Sequence, residues 1–272
     1  MSETVIALHN VQKSYGKHQV LSDVNMQVNK GDIYGLIGKN GAGKTTIFKI
    51  ILGLSEFNGG ELSIMGGSSK KAIADGRRHI GFFIGSNFFP GLNAAQNLSY
   101  YCDMKGIKNP KEEIARVLKV VGLEGVKKKV GRFSMGMKQR LGIANAILGN
   151  PEILILDEPA NGLDPQGIVD VRNLIKRLNE EFGMTVIVSS HILSELQSTA
   201  TRFGIVNNGF VAREFTTEDL NKVERSVRIS VDDLELAREA LEKAGVKVLD
   251  MQHESSSLED FYFNLVGGSN NA

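Results

Sequence analysis

The chain of 272 residues has no tryptophan, a single cysteine, five prolines and almost no net charge. One cysteine, Cys102, excludes an internal disulfide and fits a reducing compartment. With 32 basic against 31 acidic residues, a balance of +1 leaves no electrostatic footprint of a nucleic-acid binder, and no nucleic-acid partner is expected. The densest basic run, Lys127-Lys128-Lys129, reads as a solvated loop. No apolar stretch reaches the roughly 18–20 residues of a membrane span, and the opening MSETVIALHN lacks the apolar core of a secretory signal. Any work at a membrane is therefore expected from its aqueous side. Internal repeats and low-complexity tracts are also missing. The length suits one large domain, or a large domain with a small appendage.

Patterned segments fill the chain in a definite order. TVIALHNV and QVLSDVNMQV, within residues 4–34, read as short strands, with SYGKH as a turn between them. DIYGLIG is a compact apolar run, followed by glycines and then the helical stretch TTIFKIILG. NGGELSIMGG, at 58–67, reads as a strand between loops. Residues 93–149 change character: helices are expected over Asn93–Lys105, Pro110–Val121 and Met135–Leu148, with Gly122 and Gly149 as stop signals. EILIL (152–156) and TVIVS (185–189) read as buried strands, with the helix GIVDVRNLIKRLNEEFG between them. Such alternation implies a parallel sheet covered on both faces. Asn208-Gly209 between apolar runs predicts a hairpin. From about Thr216 the pattern starts again: a strand at 227–231, a helix at 232–245, a strand at 246–252 and a short helix at 258–266.

The strongest chemical signal is GKNGAGKT at 38–45, a full G-x-x-x-x-G-K-[ST] loop between a predicted strand and helix. Gly38, Gly41 and Gly43 let successive backbone N–H groups face phosphates. Lys44 brings positive charge to the β- and γ-phosphates, and the Thr45 hydroxyl suits Mg²⁺. Lys39, Asn40 and Ala42 within the loop, and Thr46 just after it, complete the ATP-binding set. ILILDEP ends an apolar strand on two carboxylates whose side chains diverge. Asp157 fits support of Mg²⁺, directly or through another ligand, and Glu158 fits the general base for an attacking water. His191 follows the strand TVIVSS, where a sheet edge meets a γ-phosphate.

Five motifs in this order resemble the nucleotide-binding subunit of the ABC transporter superfamily over residues 4–214. They are GKNGAGKT, FSMGMKQ (133–139), ILILDEP, NGLD (161–164) and the histidine of SSH. The resemblance implies two such domains packed head to tail, as a homodimer or with a homologous ATPase subunit, serving a separate integral-membrane permease. It further implies that Ser134 and Gly136 touch the γ-phosphate held by the other subunit's loop, and that Asp164 lies at the same interface. By the same resemblance His191 senses the γ-phosphate and Tyr15 stacks on adenine. The implied fold is α/β: a P-loop NTPase core with a mostly parallel sheet, an antiparallel β portion, an inserted helical subdomain at about 86–149 and a small C-terminal α+β appendage. The nucleotide-binding domain is expected at 1–215 and the appendage at 216–272.

Two departures stand out. The family usually has a glutamine where this chain has Gly85, and Ser86, Asn87 or a water is expected to take over its contacts. The signature reads FSMGM in place of the commoner paired glycine and glutamine. Its style, with NGLDP and the C-terminal extension, looks most like exporters of drugs and antibiotic peptides of the bacitracin and lantibiotic self-protection type. A location on the inner face of the cell membrane follows from the resemblance, with FFPGLNAAQNL (88–98) as the expected permease contact. The rival readings are a soluble ATPase of the same class acting on a ribosome or nucleic acid, and a regulatory module that binds ATP without hydrolysis. A single cassette without coiled coils argues against the first, and Glu158 with His191 against the second.

Overall fold

A computed structural model describes residues 3–85, 88–222, 231 and 233–246. Two compact units, 1–223 and 224–272, divide the chain and are taken separately.

The first unit opens with two long strands, β1 (Thr4–Tyr15) and β2 (His18–Asn29), where the sequence pattern suggested shorter ones. Then come β3 (Ile33–Ile37), α1 (Lys44–Ile51), β4 (Gly59–Ile64), α2 (Lys70–Arg77) and β5 (Ile80–Phe83). Three helices follow, α3 (Ala94–Lys105), α4 (Pro110–Val120) and α5 (Met135–Ala146). The unit closes with β6 (Ile153–Leu156), α6 (Pro165–Glu180), β7 (Thr185–Ser190), α7 (Leu193–Gln197), β8 (Arg202–Asn207), β9 (Phe210–Thr216) and α8 (Thr217–Lys222). Among the described residues one nine-stranded sheet forms, in the order β4-β1-β2-β9-β8-β3-β7-β6-β5. Strands β8, β3, β7, β6 and β5 run parallel, while β1 pairs antiparallel with both β2 and β4. β8 and β9 form the antiparallel hairpin expected at Asn208-Gly209, whose φ angles of 47° and 82° are those of the tight turn that Asn-Gly favours.

The apolar runs of the central strands are continuous because both faces are covered. In β3, Ile33 and Ile37 enter one core while Tyr34 and Leu36 enter the other. β6 divides Leu154 and Leu156 from Ile153 and Ile155 in the same way, and β7 divides Val186 and Val188 from Ile187. One core joins β1, β2 and α1 to the central strands, and the other joins those strands to α3–α6.

The three helices α3–α5 lie between β5 and β6, which are adjacent parallel strands, so the helical segment is an excursion from the sheet and back. Asn93 starts α3 with a full capping box to Gln96. Buried Asn97 ties down the preceding loop by accepting from Phe89 N (2.8 Å) and donating to Phe89 O (3.1 Å). α5 has no basic residue in its last turn. Its C-terminal carbonyls are met instead by cations from its neighbours. Lys105 of α3 donates to Asn145 O and Leu148 O (both 3.2 Å), and Arg116 of α4 donates to Ile147 O (2.9 Å). Glu113 binds Arg116 through two hydrogen bonds (2.7 and 2.8 Å) and accepts from Gly149 N (2.7 Å).

The Arg116 hydrogen bonds hold the Glu113 carboxyl below its usual range, with Gly149 N acting in the same direction. A carboxylate with a depressed folded pKa adds stability that is present above its unfolded value and is lost as pH falls through the folded one. Glu113→Gln should therefore cost about 1–2 kcal/mol at pH 7. The gap to the unaltered protein should narrow below the unfolded value of about 4.3. Urea unfolding at pH 7 and pH 4 checks this; a gap independent of pH would remove the ion pair from the account.

In the second unit the described helix is α9 (Leu234–Lys243), within the 232–245 expected. Asp233 caps it by accepting from Leu236 N (3.0 Å), and Glu235 adds favourable charge in the first turn. The strands expected at 227–231 and 246–252 fall almost wholly outside the described residues, and the helix at 258–266 lies entirely outside them.

Candidate nucleotide site

The GKNGAGKT loop joins fully buried β3 to α1, so its backbone leaves the C-terminal edge of the parallel strands and enters a helix N-terminus. Gly43, the N-terminal cap of α1, has φ 112°, and a Cβ there would lie 2.6 Å from Leu21 Cδ2. A cavity of about 320 Å³ is lined by Val20, residues 39–46 and Glu158. Lys39, Asn40, Gly41, Ala42, Gly43, Lys44, Thr45 and Thr46 thus share one concave surface, while Gly38 supplies the carbonyl behind it. Val20 was not legible as part of this wall, because only β2's place in the sheet brings it there.

The acids stand at the mouth of the loop. Lys44, 5% exposed, donates to Gly38 O (2.5 Å) and Lys39 O (3.4 Å) and lies 3.1 Å from Glu158 Oε1. That last contact is an ion pair without hydrogen-bond alignment, so Oε1 has no hydrogen-bond donor among the described residues. Glu158 Oε2 lies 2.7 Å from His191 Nδ1. Thr45 Oγ1 donates to Asp157 Oδ2 at 2.7 Å. The backbone of Glu158 is left-handed, with φ 50°, a conformation that costs a non-glycine residue about 1–3 kcal/mol unless its surroundings fix it.

Thr45 and Asp157 offer hard oxygen donors in mutual contact, the chemistry Mg²⁺ prefers. Among the described residues no group of three or more His, Cys, Asp or Glu side chains could cage a metal.

Other expected site residues stand apart from the cavity wall. Ser134 is exposed and caps α5, accepting from Met137 N at 3.3 Å, which leaves its O–H free to donate. A Cβ at Gly136 would meet only Leu163 Cδ2 at 3.7 Å, an ordinary contact, so nothing described within the chain requires glycine there. Asp164 caps α6 by accepting from Gly167 N (3.0 Å). Tyr15 is half-exposed; its hydroxyl lies 3.2 Å from Ser55 Oγ and Lys13 Nζ stands 4.5 Å from its ring centre. None of these four lines the cavity. Gly85 has φ 69° with nothing within 4 Å of a Cβ, so the obstacle to a glutamine there is the backbone and not space. Ser86 and Asn87, expected to replace that glutamine, lie outside the described residues.

The model of the ABC transporter family matches residues 21–161. A bacitracin transport ATP-binding protein of Bacillus licheniformis is 36% identical over 97% of this chain and 98% of its own. A lantibiotic transport ATP-binding protein of Streptococcus pyogenes is 41% identical over 77% of this chain and 90% of its own. The solved dimeric structure of a bacterial ABC transporter cassette superposes with a TM-score of 0.69 at 30% identity, covering 78% of this chain and 98% of that one.

Proposed function

The chain belongs to the ABC transporter family as an ATP-binding and ATP-hydrolysing subunit that works with a membrane permease and a second cassette, and from that premise we propose how its residues divide the work. The observation that carries the proposal is the contact network at the loop mouth, in which Lys44, Thr45, Asp157, Glu158 and His191 converge within hydrogen-bond or ion-pair distance.

The loop N–H groups and Lys44 bind the phosphates. Glu158, whose Oε1 has no hydrogen-bond donor among the described residues, takes the proton of the attacking water, while His191 orients the carboxylate and reports on the γ-phosphate. Thr45 and Asp157 would hold Mg²⁺, which when bound offsets phosphate charge. Ser134 and Gly136, at an exposed helix N-terminus with no acidic residue in its first turn, reach the γ-phosphate of the partner cassette, with Asp164 beside them. Tyr15 stacks on the adenine. We take the first unit, 1–223, as the nucleotide-binding domain, with the helical subdomain at about 86–149, and the second, 224–272, as the appendage, in place of the boundary at 215 expected from the sequence.

Among the described residues no helix is long and apolar enough to cross a membrane. We place the protein on the inner face of the cell membrane, docked through residues 88–98 and the aromatic cluster around them. Phe89 and Tyr100 are 45% and 47% exposed and meet edge to face at 5.1 Å. An aromatic pair this open suits an apolar partner surface. The relatives named for bacitracin and lantibiotic transport support export of an antibiotic peptide or similar drug.

The tagged chain captured from detergent-solubilised native membranes should bring down a multi-span membrane protein at comparable stoichiometry, identified by mass spectrometry. A chain carrying Phe89→Ser and Tyr100→Ser should lose it while still binding ATP. Recovery of ribosomal or other soluble partners alone would favour the soluble ATPase instead.

A further inference from the structure

The two serines that precede His191 face opposite ways, as strand alternation requires. Ser190 Oγ donates to Glu195 Oε2 (2.7 Å) and accepts from Ile192 N (2.9 Å), shaping the turn into α7. Ser189 is fully buried and lies on the side of β7 opposite Ser190. Its hydroxyl donates to Asp157 Oδ1 (2.7 Å) and accepts from Glu158 N (2.9 Å). One oxygen atom thereby joins the side chain of the first acid to the backbone of the second, across 31 and 32 residues of sequence.

We propose that Ser189 is a positioning residue for hydrolysis: its hydroxyl holds Glu158 in its left-handed backbone conformation and orients Asp157 toward Thr45. Each part rests on a separate contact. The Glu158 N–H is the group that a left-handed residue at a strand end turns away from the regular ladder, and Ser189 supplies its acceptor. Asp157 uses Oδ2 for Thr45 and Oδ1 for Ser189, so the carboxylate is pinned at both oxygens. Glu158 then has its side chain aimed between Lys44 and His191 with a backbone that cannot relax. Alanine or valine at 189 would leave Glu158 N and Asp157 Oδ1 without this partner in a buried site. Threonine would keep both bonds. A neighbouring cavity of about 30 Å³, lined in part by Ser189, Pro159 and Ala160, offers room for small adjustments around the added methyl.

The inference rests on the reading of Glu158 as general base, and the test separates the two. Steady-state ATP turnover is measured on the full chain in its detergent-purified membrane complex, and ADP affinity by titration calorimetry. Ser189→Ala should lower kcat by about 10- to 100-fold, the loss typical of displaced supporting contacts. KM for ATP and Kd for ADP should stay within about threefold, because the phosphate loop itself is untouched. Ser189→Thr should return kcat to within about threefold of the unaltered chain, while Ser189→Val, of the same shape without the hydroxyl, should stay at the alanine level. Wild-type kcat in Ser189→Ala alongside an inactive Glu158→Gln would overturn the role of Ser189 alone. Parallel loss of kcat and ADP affinity with no rescue by threonine would reduce Ser189 to a packing residue. Wild-type kcat in Glu158→Gln would overturn the general-base reading, and the positioning task with it.

Discussion

Glu158→Gln should keep ATP binding and lose turnover by about 10²- to 10⁴-fold, the range that general-base assistance supplies. The substitution preserves shape, so the amide can still reach His191, and it leaves the loop from Gly38 to Thr45 unaltered. What it removes is the negative charge at Oε1, the one carboxylate oxygen here with no hydrogen-bond donor among the described residues. It also removes the ion pair with Lys44 at 3.1 Å. Since that ammonium also serves the phosphates, the variant should bind nucleotide at least as well as the unaltered chain. Bound ATP that is not hydrolysed should hold two cassettes together, so gel filtration with ATP and Mg²⁺ should show a dimer. Turnover within about tenfold of the unaltered protein would take the base role away from Glu158.

Lys44→Ala should fail one step earlier. The ammonium is 5% exposed and bridges the start of its own loop, through Gly38 O and Lys39 O, to the acid at the strand end. Its removal deletes the point charge on the phosphates and a brace inside the loop at once. Charge-assisted hydrogen bonds of this kind contribute about 1.5–3 kcal/mol, which corresponds to a loss of roughly 10- to 100-fold in nucleotide affinity. A fluorescent ATP analogue titrated against both proteins measures it. An unchanged Kd would show that the loop N–H groups alone carry the phosphate.

The difference between these two variants marks what could be read from residue order. The glycine loop was legible because its chemistry is contiguous: eight residues hold the turn, the charge and the hydroxyl, and the apolar run before them announces β3. Asp157-Glu158 were legible for a related reason, since they end a buried strand and parallel strands bring their C-terminal ends together, whereas His191 stood out through the family resemblance. Ser189 was not, because its task depends on the register of β7 against β6, where Leu156 faces Val188. Nor was the hydrogen bond from Tyr34 to Glu214, which crosses 180 residues to satisfy a buried hydroxyl. Burial, with Glu214 beside it, pushes that phenol's pKa far up. Three helices also escaped the periodicity argument. α7 and α8 have five and six residues, too few for a pattern, and α2 carries a glycine, Gly76, whose missing side chain admits Ile64. The carbonyl partners of Lys105 and Arg116 were hidden as well, since a helix whose own last turn lacks cations shows no sign of borrowing them.

That borrowing has a mechanical meaning. With its rear carbonyls clipped to α3 and α4 and Leu141, Gly142, Ile143 and Ala144 buried, α5 is a rod of 12 residues, about 18 Å long, fastened along its C-terminal half. Its free tip is Ser134. Phe89 precedes α3 and Tyr100 lies within it, and Asn97 fastens the Phe89 loop to α3. The exposed aromatic pair and the Ser134 end of α5 thus belong to one braced block, joined through α3 and Lys105 to the rear carbonyls of α5.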